Sequence, residues 1–169
     1  MKNKLIFLSI FLIFTFAVII VTDLTLGNYI EISSIIGINV PITCKMETID
    51  THGARNEGET YTKIYFSEKS AKKFVEKIKE NENWRELPLY SKLQTSLEKF
   101  ECFDQKEKVA QNGYWFFYNR YETFSERFEN PYNRYDEKEM YNSSSGLFNY
   151  SVAIFDTDTN ILSYYANDM

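Results

Sequence analysis

The one histidine of the chain, His52, stands two residues after Asp50 and shortly before Glu57 and Glu59. An imidazole changes charge near neutral pH, so His52 oriented by Asp50 has the chemistry of a general base. Joined by Glu57 and Glu59 it could enter a divalent-cation site, although a single histidine offers a transition metal only one nitrogen ligand. The stretch from Asp50 to Glu59, with Gly53 and Gly58 inside it, is equally what a connecting turn requires. Geometry separates the readings. A catalytic His52 belongs in a concave pocket with a second titratable group in hydrogen-bond reach, whereas a turn or recognition-loop His52 belongs on a convex surface. Turn composition accounts for the whole stretch, so Asp50, His52, Glu57 and Glu59 stand as candidate binding residues. No catalytic or metal-ligating residue is assigned.

A second constellation, Asp156-x-Asp158-x-Asn160, opens like a calcium loop. Ile161 occupies the place of the required glycine and Asn167 the place of the bidentate glutamate, so a hairpin turn is expected instead. Cys44 and Cys102 enclose 57 residues. In an oxidising compartment they could pair and contribute about 4 kcal/mol by chain entropy; two unpaired thiols fit the sequence equally. No third group orients a cysteine–histidine pair. Phosphate-binding loops, Gly-x-Ser-x-Gly, His-Glu-x-x-His and Cys-x-x-Cys are all missing from the sequence, and no cofactor is expected.

Aromatic residues make up 17% of the chain and crowd its C-terminal third. Trp115, Phe117, Phe148 and Phe155 sit where a sheet core would want them. Tyr118, Tyr121, Tyr132, Tyr135 and Tyr164 are expected at the surface, where aromatic rings bind sugars and extended peptides. Residues 122–146 form an acidic stretch without a period, and a loop of that length in a compact domain is usually functional or disordered; Phe124, Phe128, Tyr132, Tyr135 and Tyr141 argue against complete disorder. Tyr132 and Tyr135 therefore join the candidate binding residues.

These groups must be positioned by elements that the periodicity suggests. Leu5 to Val21 carry no charge, Lys2 and Lys4 precede them, and Asp23 follows. Seventeen helical residues reach roughly 26 Å, close to a hydrocarbon core of ~30 Å, and the positive flank places the amino terminus in the cytoplasm. The division expected is a cytoplasmic tip and transmembrane anchor over residues 1–26, a short connecting helix within 27–40, and a single extracytoplasmic α+β domain over 41–169. The alternative is a signal peptide cleaved near Thr25-Leu26-Gly27, which would leave a secreted protein. Without Lys2 and Lys4 the formal charge of −5 becomes −7. With no basic run in the chain, nucleic acid is not an expected partner.

Asn28-x-x-Glu31 has the form of a capping box ahead of Ile32, Ile35 and Ile36. From Pro41 the pattern alternates, with Ile42, Cys44 and Met46 on one side, and a second strand follows over 60–66. Ser67 then caps a helix carrying Ala71, Phe74, Val75 and Ile78 on one stripe. Trp84 and Leu87-Pro88-Leu89 end it, a shorter helix carries Leu93, Leu97 and Phe100, and strands are expected over 114–121, 150–156 and 161–166. This order predicts α+β: an antiparallel sheet of about five strands with its helices on one face, behind an N-terminal transmembrane helix.

Asp50-Thr51-His52-Gly53, Gly58-Glu59-Thr60 with Lys63-Ile64-Tyr65-Phe66, Tyr114-Trp115-Phe116-Phe117-Tyr118 and the ending Val152 through Asn160 together resemble an uncharacterised family of short, membrane-anchored or secreted proteins of Gram-positive bacteria. The resemblance spans residues 48–165. It implies a bacterial cell-envelope setting and carries no activity. The family pattern has a more glycine-rich turn and a second histidine near Asn56, a histidine this chain lacks, so no metal site is implied.

The sequence thus reads as a single-pass membrane protein with its C-terminal domain outside. It is expected to be non-enzymatic and to bind an envelope protein or a cell-wall ligand; the runner-up is a small envelope hydrolase using His52 with nearby carboxylates. An uncleaved anchor predicts that intact-mass measurement of the membrane-extracted protein finds residues 5–21 retained, whereas a mature chain starting beyond Gly27 would show a signal peptide.

Overall fold

Three consecutive aromatic residues, Trp115, Phe116 and Phe117, set the architecture. Successive side chains of a strand point to opposite faces, so a strand through these three cannot leave either face in water. All three are buried, and the sheet that contains them is covered on both sides.

The computed structural model describes residues 26–53, 57–99, 109–120 and 149–168. The Leu5–Val21 run, Phe100, Cys102, Tyr121, Tyr132, Tyr135, Phe148 and the acidic stretch 122–146 lie outside the described residues. Among the described residues no helix is long and apolar enough to cross a membrane.

Among the described residues six strands form one sheet: β1 (Lys45–Asp50), β2 (Gly58–Tyr65), β3 (Trp84–Glu86), β4 (Gly113–Asn119), β5 (Tyr150–Asp156) and β6 (Ile161–Asp168). Their order is β1-β2-β6-β5-β4-β3, and every neighbouring pair is antiparallel. Helical residues 26–36 (α1), α2 (Glu68–Lys79) and α3 (Ser91–Leu97) accompany it. The fold is α+β, as the order of elements predicts.

On the first face Ile64, Phe116, Ala153, Phe155 and Leu162 pack with Tyr29, Ile32 and Ile36 of α1 and with Ala71, Phe74 and Ile78 of α2. Phe155 lies 5.5 Å from Phe66 and 5.2 Å from Phe74, ring centre to ring centre, in the inclined arrangements that aromatic pairs favour. On the second face Tyr61, Trp115, Phe117, Val152, Ile154 and Tyr165 pack with Leu93 and Leu97 of α3. The expectation of helices on one face is therefore corrected: α3 takes the side opposite α1 and α2, because β4 and β5 are apolar on both.

The sixth strand is also a correction. Trp84–Glu86 is too short to show a period and exists by pairing with Tyr114–Phe116 across a long insertion. Trp84 also donates Nε1–H to Ile36 O at 3.1 Å, satisfying a carbonyl in the last turn of α1. Gly37 then ends α1 with φ of 68°, the left-handed geometry that glycine accepts without strain. Helix α1 extends back to at least residue 26, so Asn28 is inside it and is not its cap. Ser67 does cap α2, its Oγ accepting from Ser70 N–H at 3.3 Å. Ile42, placed inward by alternation, is exposed, because β1 begins only at Lys45.

The turn between β5 and β6 uses the oxygens that a calcium loop would need. Asp156 Oδ1 accepts from Asp158 N–H at 2.8 Å, its Oδ2 accepts from Thr159 Oγ1–H at 2.8 Å, and Asn160 takes φ of 57°. The carboxylate is occupied in shaping the turn. Phe155 is the test of the core that this turn follows: Phe155→Ala is expected to cost ~3–5 kcal/mol of unfolding free energy in a denaturant titration, the range for emptying a phenyl-sized site.

Candidate functional site

The hairpin ladder runs past the end of β1. Thr51 N–H donates to Glu59 O at 3.0 Å, Glu59 N–H to Thr51 Oγ1 at 3.0 Å, and Gly53 N–H to Glu57 O at 3.2 Å. This register sets His52 opposite Gly58, which in turn faces Asp168 of β6. A Cβ on residue 58 would lie 2.6 Å from His52 Cα, so only glycine leaves His52 where it is. The imidazole reaches over the gap that Gly58 leaves in β2, with Nδ1 2.5 Å from Asp50 Oδ1 and Nε2 3.2 Å from Asp168 Oδ2. His52 N–H also donates to Asp50 Oδ1, at 3.0 Å, fixing the local bend.

Arg120 approaches from the other side. It follows β4, is held there by its N–H donating to Asn149 O at 2.6 Å, and donates Nη1–H to the same Asp168 Oδ2 at 3.1 Å. Its Nη2 is 3.9 Å from Glu31 Oε1 on α1. Asp168 Oδ2 is thus the junction of two cations delivered by opposite flanks of the sheet.

Both ring nitrogens of His52 face carboxylates that only accept hydrogen bonds, so the imidazolium form can donate to both and the neutral ring to one. The Asp50 hydrogen bond holds the His52 pKa above its usual value; burial opposes this and Asp168 adds to it. Asp50 is held below the usual carboxylate value, first by the His52 backbone N–H and then by the ring.

These groups line a cleft of about 310 Å³ between α1 and the first face of the sheet. Its walls carry Asn28 and Glu31 of α1, Thr48 and Asp50 of β1, Thr60 and Thr62 of β2, and Tyr164 of β6. Thr48 and Thr62 are joined through their hydroxyls at 3.0 Å. Tyr164 shares a hydrogen bond with Ser151 at 2.8 Å, and burial pushes its phenol up to about 12. A wider groove of about 830 Å³ runs between α2 and residues 37–41. Its charged side chains are exposed, and Lys77 is already paired with Glu80 at 2.7 Å, so nothing there converges.

Asp50 and His52 come together as the sequence suggests, and His52 occupies a concave site with two carboxylates in reach, the placement expected of a catalytic histidine and not the convex surface expected of a turn or recognition loop. Glu57 is exposed in the hairpin, and Glu59 lies in β2 at a position that shares the opposite face with Tyr61; neither lines the cleft. Tyr164, expected at the surface, is buried because β6 is an interior strand. Cys44 is a buried thiol. Among the described residues no group of three His, Cys, Asp or Glu side chains is arranged to hold a metal ion. Asp168, Arg120 and Glu31 escape sequence reasoning. Their only local signal is a charge at the end of a strand, just past one, or on a helix, and what brings Asp168 to His52 is the pairing of β2 with β6.

No protein-family profile, curated protein or solved structure matches the chain.

The two shifted groups give stability a window. The raised pKa of His52 makes its contribution complete below about 6.5 and lost as pH rises through the folded value; the lowered pKa of Asp50 makes its contribution complete above about 3.9 and lost as pH falls through the folded value. Both act together between roughly pH 4 and 6.5. Denaturant titrations across pH should show His52→Gln losing the alkaline limb and about 0.5–1 kcal/mol at pH 6, the scale of a solvent-screened ion pair.

Proposed function

We propose that the chain is a binding domain of the bacterial cell envelope, anchored in the membrane by Leu5–Val21 with its C-terminal domain outside, and that the cleft around His52 holds its ligand. The observation that carries this reading is the double engagement of the imidazole. A cationic ring with both nitrogens committed has no lone pair for a substrate proton, so it serves as a fixed charge in a polar binding cleft. A concave site with a few convergent polar groups is the usual form of a small-ligand site.

The cleft's chemistry narrows the ligand. Three carboxylates, Glu31, Asp50 and Asp168, face two cations, His52 and Arg120, and hydroxyls line the floor. The excess of acceptors favours ligands that bring ammonium or hydroxyl donors, such as an amino sugar or a peptide amine of the cell wall. The negative charge of the domain acts in the same direction. The resemblance to envelope proteins of Gram-positive bacteria supports the location.

A hydrolase is the second reading, favoured by the concavity and by two carboxylates in reach of His52. There the imidazolium would act as a general acid. Titrating the isotope-labelled full chain with soluble cell-wall muropeptides should shift amide signals at Asp50, Thr60 and Ala166, and Asp50→Asn should weaken binding severalfold, with no turnover of the fragments. Turnover abolished in His52→Gln would install the hydrolase, and unmoved cleft signals would sink the binding reading.

A further inference from the structure

Strand β1 is the outer strand of the sheet, and only half of its main chain is engaged. The bond from Thr51 N–H to Glu59 O fixes the phase of the β1–β2 ladder: Lys45, Glu47 and Ile49 turn their N–H and C=O toward β2, and Met46, Thr48 and Asp50 turn theirs outward. Among the described residues no backbone bond reaches those outward groups. The pairing with β2 runs through all six residues of β1 without a bulge, and no proline interrupts it, so the edge keeps the form of a template for another strand. The side chains of the same three residues point to the first face, where Thr48 and Asp50 line the cleft. Ile49, level with Tyr61, is exposed on the second face. Glu31 of α1, on the opposite wall of the cleft, meets its nearest cation among the described residues, Arg120, at 3.9 Å, too far for a hydrogen bond.

We propose that β1 is a docking edge for an extended segment of another protein, which adds to the sheet as a further strand, sets a cationic side chain between Glu31 and Asp50, and lays apolar side chains against Ile49. Main-chain bonds to Met46, Thr48 and Asp50 supply the affinity of such an addition, and the alternate side chains supply its specificity. Residues of the added strand level with Thr48 and Asp50 project to the first face and those level with Ile49 to the second, so one alternating pattern serves both. Charge selects the occupant. Three carboxylates in the cleft against His52 and Arg120 leave one negative charge for a ligand to meet. A chain of formal charge −5 attracts a basic segment and repels a second copy of itself. The cationic part of this inference rests on the cleft being a binding site; the main-chain part stands without it.

The probe is a short synthetic peptide alternating threonine and valine, with lysine at one threonine position, added to the isotope-labelled full chain in micelles. The amides of Met46, Thr48 and Asp50 should exchange freely without peptide and slow severalfold with it, while those of Glu47 and Ile49, already bonded to β2, change little. Norleucine in place of the lysine should weaken binding severalfold, and Glu31→Gln should shrink that difference. Methylating the main-chain nitrogens of the peptide should abolish binding, a control that leaves the protein untouched. Absence of protection at those three amides, a norleucine peptide that binds as well as the lysine one, or protection that arrives without peptide as the chain is concentrated, which would make a second copy the occupant, would each overturn the proposal. Muropeptides that bind where the peptide does not would strike the edge and leave the cleft; lysine-dependent binding beside inert muropeptides would keep the edge and remove the wall fragment as ligand.

Discussion

Strand β5 has no solvent-facing side: Tyr150, Ser151, Val152, Ala153, Ile154 and Phe155 are all buried. A strand in that condition obliges the rest of the chain to supply a cover for each face, and the elements are distributed accordingly. Helices α1 and α2 take the face of Phe155, and α3 with Leu89 and Val109 takes the face of Val152 and Ile154. The outer strand β1 carries less of this burden, with most of its side chains in water. The polar cleft forms at the margin between these regimes, where α1 passes over Thr48, Thr60 and Thr62, residues too small to fill the space with apolar atoms.

Within the cleft, charge is arranged more tightly than the acidic composition suggests. Asp168 Oδ2 receives His52 from one side and Arg120 from the other. Each carboxylate meets a cation close by, which limits the cost of removing charge from bulk water. In its cationic form the imidazole has no lone pair to take a proton, so the arrangement disfavours a general-base role and leaves a general-acid role open. The cleft is a shaped, polar surface lined by side chains of β1, β2, β6 and α1, with His52 and Arg120 beside them.

Patterns carried by neighbouring residues were legible in the sequence. Strand β5 runs over the residues that alternation and turn signals assign to it, and α2 begins where Ser67 announces it. The pair Asp50 and His52 could be named because a single residue, Thr51, separates them. Strand β3 could not be read, since three residues show no period and its existence depends on β4. The side taken by α3 was hidden for a related reason: Leu93 and Leu97 say that a helix has an apolar stripe, not which face of the sheet receives it. Asp168 is 116 residues from His52 and joins it only through the register of β2 against β6. Glu57 and Glu59 misled for the converse reason, being close in sequence and turned elsewhere by the pleat.

The position of β6 has a consequence for how the molecule comes into being. It lies between β2 and β5, so the hairpin made early in the chain and the β3–β4–β5 group have no pairing with each other until β6 enters between them. Its partners on one side are about a hundred residues upstream. Loop closure over such a distance is entropically slow and leaves two open strand edges waiting in the meantime. A chain emerging from a ribosome must hold those edges apart from other chains until β6 arrives. The seam between β2 and β6 carries Gly58 and Asp168, so the cleft depends on the longest-range strand pairing among the described residues.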